Sequence, residues 1–175
     1  MIPKYNIFFV PHLKNKKKIS PLRASICKQV HSTQALQFPI HMSLISGGFK
    51  IKNYSKFENE LKILCNMQNP MELEAEKSTS IIADRFWTGI HIKQTNHIKQ
   101  FQIKLQELRN KFADKVEKHY FHPLHITLAF PAKVENLKPI KCPVKILKFD
   151  RITIAKKEKE NAPYRIYKHI KLTSL

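Results

Sequence analysis

Two short stretches of the chain place a histidine two residues before a hydroxyl residue, within the same apolar context. Residues 39–45 read PIHMSLI, and residues 123–129 read PLHITLA. Such strict alternation is typical of a β-strand, in which successive side chains point to opposite faces. In each stretch the histidine and the hydroxyl residue therefore share one face, and their apolar neighbours share the other.

These residue types could perform acid–base chemistry on a phosphate. An imidazole titrates near neutral pH, so one of His41 and His125 could act as a general base while the other acts as a general acid. The hydroxyls of Ser43 and Thr127 would lie roughly 6–7 Å further along each strand and could donate hydrogen bonds to non-bridging phosphate oxygens. If both faces line one cleft, the chain would be a phosphodiesterase that needs no metal. Either histidine alone would fit better as a core residue bonded to the backbone, and the sequence does not distinguish the base from the acid.

Several other catalytic motifs are missing from the sequence. It contains no His-Glu-x-x-His pattern, no cysteines with metal-ligand spacing and no phosphate-binding P-loop. Gly47 and Gly48 stand alone and predict a turn. We therefore expect neither a metal nor another cofactor.

The two stretches resemble the paired His-x-Ser/Thr motifs of the 2H phosphoesterase superfamily, which includes 2′-5′ RNA ligase-like proteins and 2′,3′-cyclic phosphodiesterases. The separation of 84 residues between the two histidines also fits this superfamily. The resemblance implies that His41 and His125 are catalytic and that Ser43 and Thr127 bind the phosphate. The first motif departs from many members, because Ser43 stands where they carry threonine.

The resemblance also implies a fold and a class of substrate. The fold would be α+β and bilobal, with two pseudo-repeated lobes whose antiparallel sheets line a central groove and whose helices lie outside. The substrates would be RNA-type phosphates, either 2′,3′-cyclic ends or 2′-5′ linkages. Degradation of 2′-5′ oligoadenylate or of cyclic oligonucleotide immune messengers, RNA 3′-end processing, and a non-catalytic RNA-binding module are the alternatives. RNA ligation ranks below hydrolysis or transesterification.

The elements that would position the motifs follow from hydrophobic periodicity. Besides the two motif strands, the pattern predicts strands over residues 4–10, 72–76, 86–92, 144–154 and 164–172. It predicts helices over about 20–30, 55–67 and 96–116, and a basic loop over 12–19. Each half has a helix that leads into a motif strand, so we expect an internal pseudo-repeat within a single domain spanning residues 1–175.

Charge and composition narrow the choice of partner. Thirty-two Lys and Arg against thirteen Asp and Glu give a net charge of +19, which favours RNA or another oligonucleotide, although part of the lysine content could reflect an AT-rich genome. The three scattered cysteines form no disulfide framework and indicate a reducing compartment such as the cytoplasm. No apolar run approaches the ~20 residues of a membrane span. We expect a monomer without a membrane partner.

The sequence gives weaker evidence for a functional role of several other residues. His31-Ser32-Thr33 also matches the His-x-Thr pattern, but it lacks the alternating apolar residues on either side. We interpret this match as a coincidence and not as a third motif. His91 is interpreted as structural, and His122 as an exposed residue that could touch substrate. Tyr120 and Phe121 precede the second motif and could stack on a base, although Phe121 could equally belong to the core.

Overall fold

A computed structural model describes residues 3–45, 48–82, 87–116, 123–130, 138–159 and 162–173. The helices in this part of the chain are α1 (Leu13–Gln29), α2 (Tyr54–Asn66) and α3 (Asn96–Phe112), with a short 3₁₀ turn at Gln34–Gln37. The strands are β1 (Lys4–Phe9), β2 (Met42–Ser43), β3 (Phe49–Lys50), β4 (Met71–Glu74), β5 (Ser80–Ile82), β6 (Trp87–His91), β7 (His125–Ala129), β8 (Ile146–Phe149), β9 (Arg151–Lys157) and β10 (Arg165–Lys171). None of the helices described is long and apolar enough to cross a membrane.

The main sheet is antiparallel and joins the two halves of the chain. Its strand order is β10-β9-β1-β2-β7-β6-β5, and β3 pairs with the beginning of β1. A second sheet consists of β4 and β8. The two motif strands are neighbours at the centre of the main sheet, where Met42 pairs with Ile126. The predicted α+β fold with antiparallel sheets is confirmed, and the two motifs lie side by side in one sheet.

Helix α3 packs against the face of the sheet opposite to the motif histidines. Its apolar residues recur at the predicted spacing, and Ile98, Phe101 and Leu105 are buried. The ring of Phe101 stacks on that of Phe9 in β1, with ring centroids 6.1 Å apart. The helix ends at Phe112, four residues before the predicted end, because the backbone of the next residue is already extended.

Helix α1 begins earlier than the sequence predicted. It starts at Leu13, so the basic loop predicted over residues 12–19 is wrong. The ring Nδ1 of His12 caps the first turn by accepting a hydrogen bond from the Lys14 N–H at 3.5 Å. Pro21 therefore lies inside the helix and cannot donate its backbone hydrogen bond, a loss that ordinarily costs about 3 kcal/mol. Ile19, just before Pro21 in the chain, is fully buried and holds this first part of the helix in the core.

Residues 144–154 form two strands instead of the single predicted strand. β8 pairs with β4 in the small sheet, whereas β9 pairs with β1 in the main sheet. Asp150 separates them, and its carbonyl accepts a hydrogen bond from the Leu172 N–H at 2.9 Å. Its carboxylate accepts two hydrogen bonds of 2.7 Å from Arg151. Alternation along the chain cannot show where a strand changes its partner, which is why this break was missed.

Candidate active site

The pairing of β2 with β7 brings the four motif side chains together. Met42 is opposite Ile126, and both are fully buried. One residue further in each direction, the antiparallel register places His41 beside Thr127 and Ser43 beside His125. All four side chains therefore share the other face of the sheet, called the motif face below. Each histidine lies next to the hydroxyl residue of the other motif.

Both motif histidines are held by the same backbone contact. The Nδ1 atom of His41 is 2.8 Å from the carbonyl oxygen of Pro39, and Nδ1 of His125 is 2.8 Å from that of Pro123. A carbonyl can only accept, so each Nδ1 carries a hydrogen and donates it. The Nε2 atom of each ring is then left to exchange a proton with a substrate. This contact gives a structural role to the proline that opens both motifs.

The surroundings of His41 favour its neutral form. Its ring packs on Phe8, with ring centroids 4.6 Å apart. Burial lowers the pKa of His41 below its usual value, and the positive charges of Arg23 and His125 lower it further, while the hydrogen bond to Pro39 acts in the opposite direction. His41 is therefore neutral at neutral pH and suited to accept a proton.

His125 has two aromatic neighbours on β6. The Trp87 and His125 ring centroids are 5.9 Å apart, and the His91 and His125 ring centroids are 6.4 Å apart. The register pairs His91 directly with His125, so a third histidine lies on the motif face. The sequence interpretation of His91 as structural did not anticipate this position, because it depends on which strand β6 pairs with.

A cavity of about 240 Å³ opens beside His41 and Thr127. Five aromatic residues line it, which are Phe8, Phe38, Trp87, Phe130 and Tyr164. Its polar lining includes Asn6, Arg23 and Gln34. Ser43 and His125 are not among the lining residues, so the cavity extends from the His41 side of the motif face. Flat apolar rings with a few polar groups between them are suited to hold a nucleobase or ribose.

The remaining candidates from the sequence are placed as follows. His31 is exposed beyond the end of α1 and has a left-handed backbone (φ 51°). Next to it, the Ser32 hydroxyl donates a hydrogen bond to the Phe130 carbonyl at 2.8 Å. Tyr120, Phe121 and His122 lie outside the described residues, so their predicted contacts with substrate stay predictions. No group of three or more His, Cys, Asp or Glu side chains is placed to hold a metal ion within the described ranges.

Gly48 lies against one wall of the cavity. A Cβ added at Gly48 would collide with the hydroxyl of Tyr164, which lines the cavity. Gly48 is exposed and Tyr164 is only partly buried, so the ring can move aside. We therefore expect Gly48→Ala to displace this ring, to lower the free energy of unfolding by no more than about 1 kcal/mol, the lower limit for overpacking a core, and to raise KM several-fold. Thermal unfolding and steady-state kinetics would measure both effects.

The matched control for Gly48→Ala removes the atom that the new methyl group meets. Tyr164→Phe lacks the hydroxyl, so the double variant Gly48→Ala/Tyr164→Phe should recover most of the lost stability relative to Gly48→Ala. Equal destabilisation in the single and double variants would show that Tyr164 is not the group that excludes a side chain at position 48.

Comparison with known proteins establishes the fold. No family model matches the chain, and no curated protein matches its sequence. Among solved structures, E. coli LigT in complex with NADP⁺ superposes with a TM-score of 0.73 at 16% identity, covering 99% of this chain and 100% of LigT. A crystal structure described as a phosphoesterase gives a TM-score of 0.73 at 14% identity over 99% of this chain and 100% of its own. The protein TT0787 of Thermus thermophilus gives 0.62 at 8% identity, with 98% of both chains covered. The chain therefore has the same fold as LigT, as the resemblance of its paired motifs implied.

Proposed function

We propose that this chain is a metal-independent phosphodiesterase that acts on RNA-type phosphates, either 2′,3′-cyclic ends or 2′-5′ linkages. The observation that carries the proposal is the matched pair of histidines on neighbouring strands, each held through Nδ1 by a proline carbonyl and each beside a hydroxyl residue. The full-length likeness to LigT supports it, because LigT has been crystallised with 3′-AMP and with phosphate. The net charge of +19 suits an RNA or oligonucleotide substrate.

In the proposed mechanism the two imidazoles move protons on opposite sides of one phosphorus. For a cyclic phosphate, Nε2 of His41 takes a proton from water, and the water oxygen forms a bond to phosphorus. The bond from phosphorus to one ribose oxygen breaks, and His125 donates a proton to that oxygen. For a 2′-5′ linkage, the attacking group is instead the neighbouring ribose 3′-hydroxyl, the 5′-oxygen leaves, and a cyclic phosphate remains. Ser43 and Thr127 donate hydrogen bonds to the non-bridging oxygens as negative charge develops there.

The assignment of His41 as base and His125 as acid rests on their surroundings. A general base must be neutral before the reaction, and burial keeps the pKa of His41 below its usual value. Two imidazolium ions close together repel each other, and burial selects His41 as the ring that stays neutral. The positive charge of Arg23 lowers the pKa of His41 further.

The pH profile of kcat/KM should reflect the lowered pKa of His41. A base with a depressed pKa stays deprotonated to a lower pH, so activity is expected to fall only once the pH drops below the ordinary histidine value of 6.5. Activity should fall again at higher pH, where the acid loses its proton. A profile measured at constant ionic strength checks this. An acidic limb centred above 6.5 would contradict the assignment of His41 as base.

A substrate panel with product identification tests the proposed function. The panel contains nucleoside 2′,3′-cyclic phosphates, 2′-5′ and 3′-5′ oligoadenylates, a cyclic oligonucleotide and an RNA with a 3′ uridine tail, each incubated in EDTA and analysed by mass spectrometry. Turnover of a cyclic end or a 2′-5′ linkage is the expected result. Cleavage confined to the cyclic oligonucleotide or to the RNA tail would favour the messenger or the end-processing alternative. Salt-sensitive binding of every polymer without turnover would indicate a binding module.

A further inference from the structure

Arg23 is a buried cation without a carboxylate partner. It lies on α1, its side chain is 5% exposed, and no acidic group forms an ion pair with it within the described residues. Its Nη2 donates hydrogen bonds to the carbonyl oxygens of Ala35 and Phe38, the latter at 2.6 Å. Its Nε is buried and has no hydrogen-bond partner among the described residues.

These two hydrogen bonds use the Nη2 donors of the guanidinium and leave its positive charge uncompensated. Two backbone carbonyls accept hydrogen bonds but carry no net charge, and a buried cation without an anion is strongly disfavoured. Burial accordingly lowers the pKa of Arg23 below its usual value. An anionic group brought into the cavity by a ligand would supply the missing negative charge.

The position of Arg23 separates it from the phosphate that is attacked. Arg23 lines the cavity together with His41 and Thr127, whereas His125 and Ser43 do not line it. The attacked phosphate has to contact both histidines, so it lies at the edge of this cavity. Arg23 lies within it, among the aromatic residues suited to hold a base or ribose.

We propose that Arg23 binds a second phosphate of the substrate, linked through a ribose to the phosphate that is attacked. This inference rests on the proposed function and deepens it, because it makes the preferred substrate a nucleotide with a further phosphate. A guanidinium carries a permanent positive charge and donates strong hydrogen bonds to phosphate oxygens. Arg23 would then select oligonucleotides and 5′-phosphorylated nucleotides over nucleoside cyclic phosphates.

The test compares the affinities for adenosine 3′,5′-bisphosphate and 3′-AMP, measured by calorimetry at fixed salt. These probes differ by one phosphate, so the ratio of their Kd values isolates its contribution. We expect the wild-type protein to bind the bisphosphate at least about tenfold more tightly, as a charged hydrogen-bonded contact usually provides. In Arg23→Gln the ratio should fall to near one, and in Arg23→Lys, which keeps the charge on a different donor group, it should be intermediate.

Several outcomes would overturn this inference. The first two are a ratio of the two Kd values near one in the wild-type protein, and a ratio that is unchanged in Arg23→Gln. The others are a loss of affinity by the same factor for both probes in Arg23→Gln, and no binding of either probe to the wild-type protein. The equal loss would mean that Arg23 only anchors Ala35 and Phe38, which thermal unfolding of both variants would report. Replacing adenosine by guanosine in both probes checks that the phosphate and not the base sets the ratio. Because this measurement needs no turnover, its failure is distinguishable from failure of the proposed activity.

Discussion

Alanine at His41 or at His125 is expected to lower kcat/KM for the preferred substrate by about 10²–10⁴-fold, the usual contribution of a general acid or base. Each ring donates a hydrogen bond from Nδ1 to a proline carbonyl and presents Nε2 to the substrate, so alanine removes the proton transfer. Both groups act in one step, so the double variant should lose much less than the product of the two single effects. Steady-state kinetics with thermal unfolding would measure these changes.

The control for the histidine variants is the other His-x-Thr sequence of the chain. His31 is exposed and has a positive φ, a conformation that asparagine tolerates, so His31→Asn should keep wild-type activity.

A substrate whose leaving group needs no proton distinguishes the general base from the general acid. With a p-nitrophenyl ester, whose phenolate leaves without protonation, His125→Ala should regain most of its activity while His41→Ala should not. Wild-type rates in either alanine variant on the natural substrate would exclude that histidine from the chemistry.

Removal of either motif hydroxyl is expected to lower kcat/KM by about 10-fold to 100-fold, because a hydrogen bond to a charged group contributes about 1.5–3 kcal/mol. Thr127→Val keeps the shape of the side chain, and Ser43→Ala removes only the hydroxyl oxygen. The loss should appear mainly in kcat, since the charge on the phosphate oxygens increases as the bond to the attacking group forms.

The matched controls exchange one hydroxyl residue for the other. Ser43→Thr and Thr127→Ser keep the donor and should stay within a few-fold of wild type. Ser43 is exposed on its two-residue strand, so the added methyl group meets little obstruction. Equal losses in Thr127→Val and Thr127→Ser would mean that packing and not hydrogen bonding explains the effect of position 127.

The sequence alone predicts the four motif residues but not their mutual arrangement. Alternation in residues 39–45 and 123–129 predicts that each histidine shares a face with its hydroxyl residue, and the strand register agrees. The alternation within each strand carries no information on the partner strand. The pairing of Met42 with Ile126 sets each histidine beside the hydroxyl of the other motif, and it depends on contacts between distant parts of the chain. The place of His91 beside His125 follows from the same kind of pairing.

Two further residues show why the cavity could not be predicted. Arg23 belongs to a lysine-rich helix, and in the sequence nothing distinguishes it from exposed basic residues, although it is buried. Trp87 is an aromatic residue in a strand, for which burial in the core is the ordinary expectation, yet it is only partly buried and lines the cavity. Both positions result from packing between elements. The loop predicted over residues 12–19 was wrong because of packing as well. Burial of Ile19 accompanies a helix that already begins at Leu13, on the N-terminal side of Pro21.

The most direct test of the two-histidine mechanism is the rate of phosphodiester cleavage in EDTA, measured for the wild-type protein and for the variant with alanine at both His41 and His125. The substrate is the member of the panel that the wild-type protein cleaves fastest. The mechanism predicts that the wild-type rate is the same with and without EDTA, and that the double variant is at least about 10²-fold slower. Activity that disappears in EDTA and returns with a divalent cation, or activity that persists in the double variant, would contradict it.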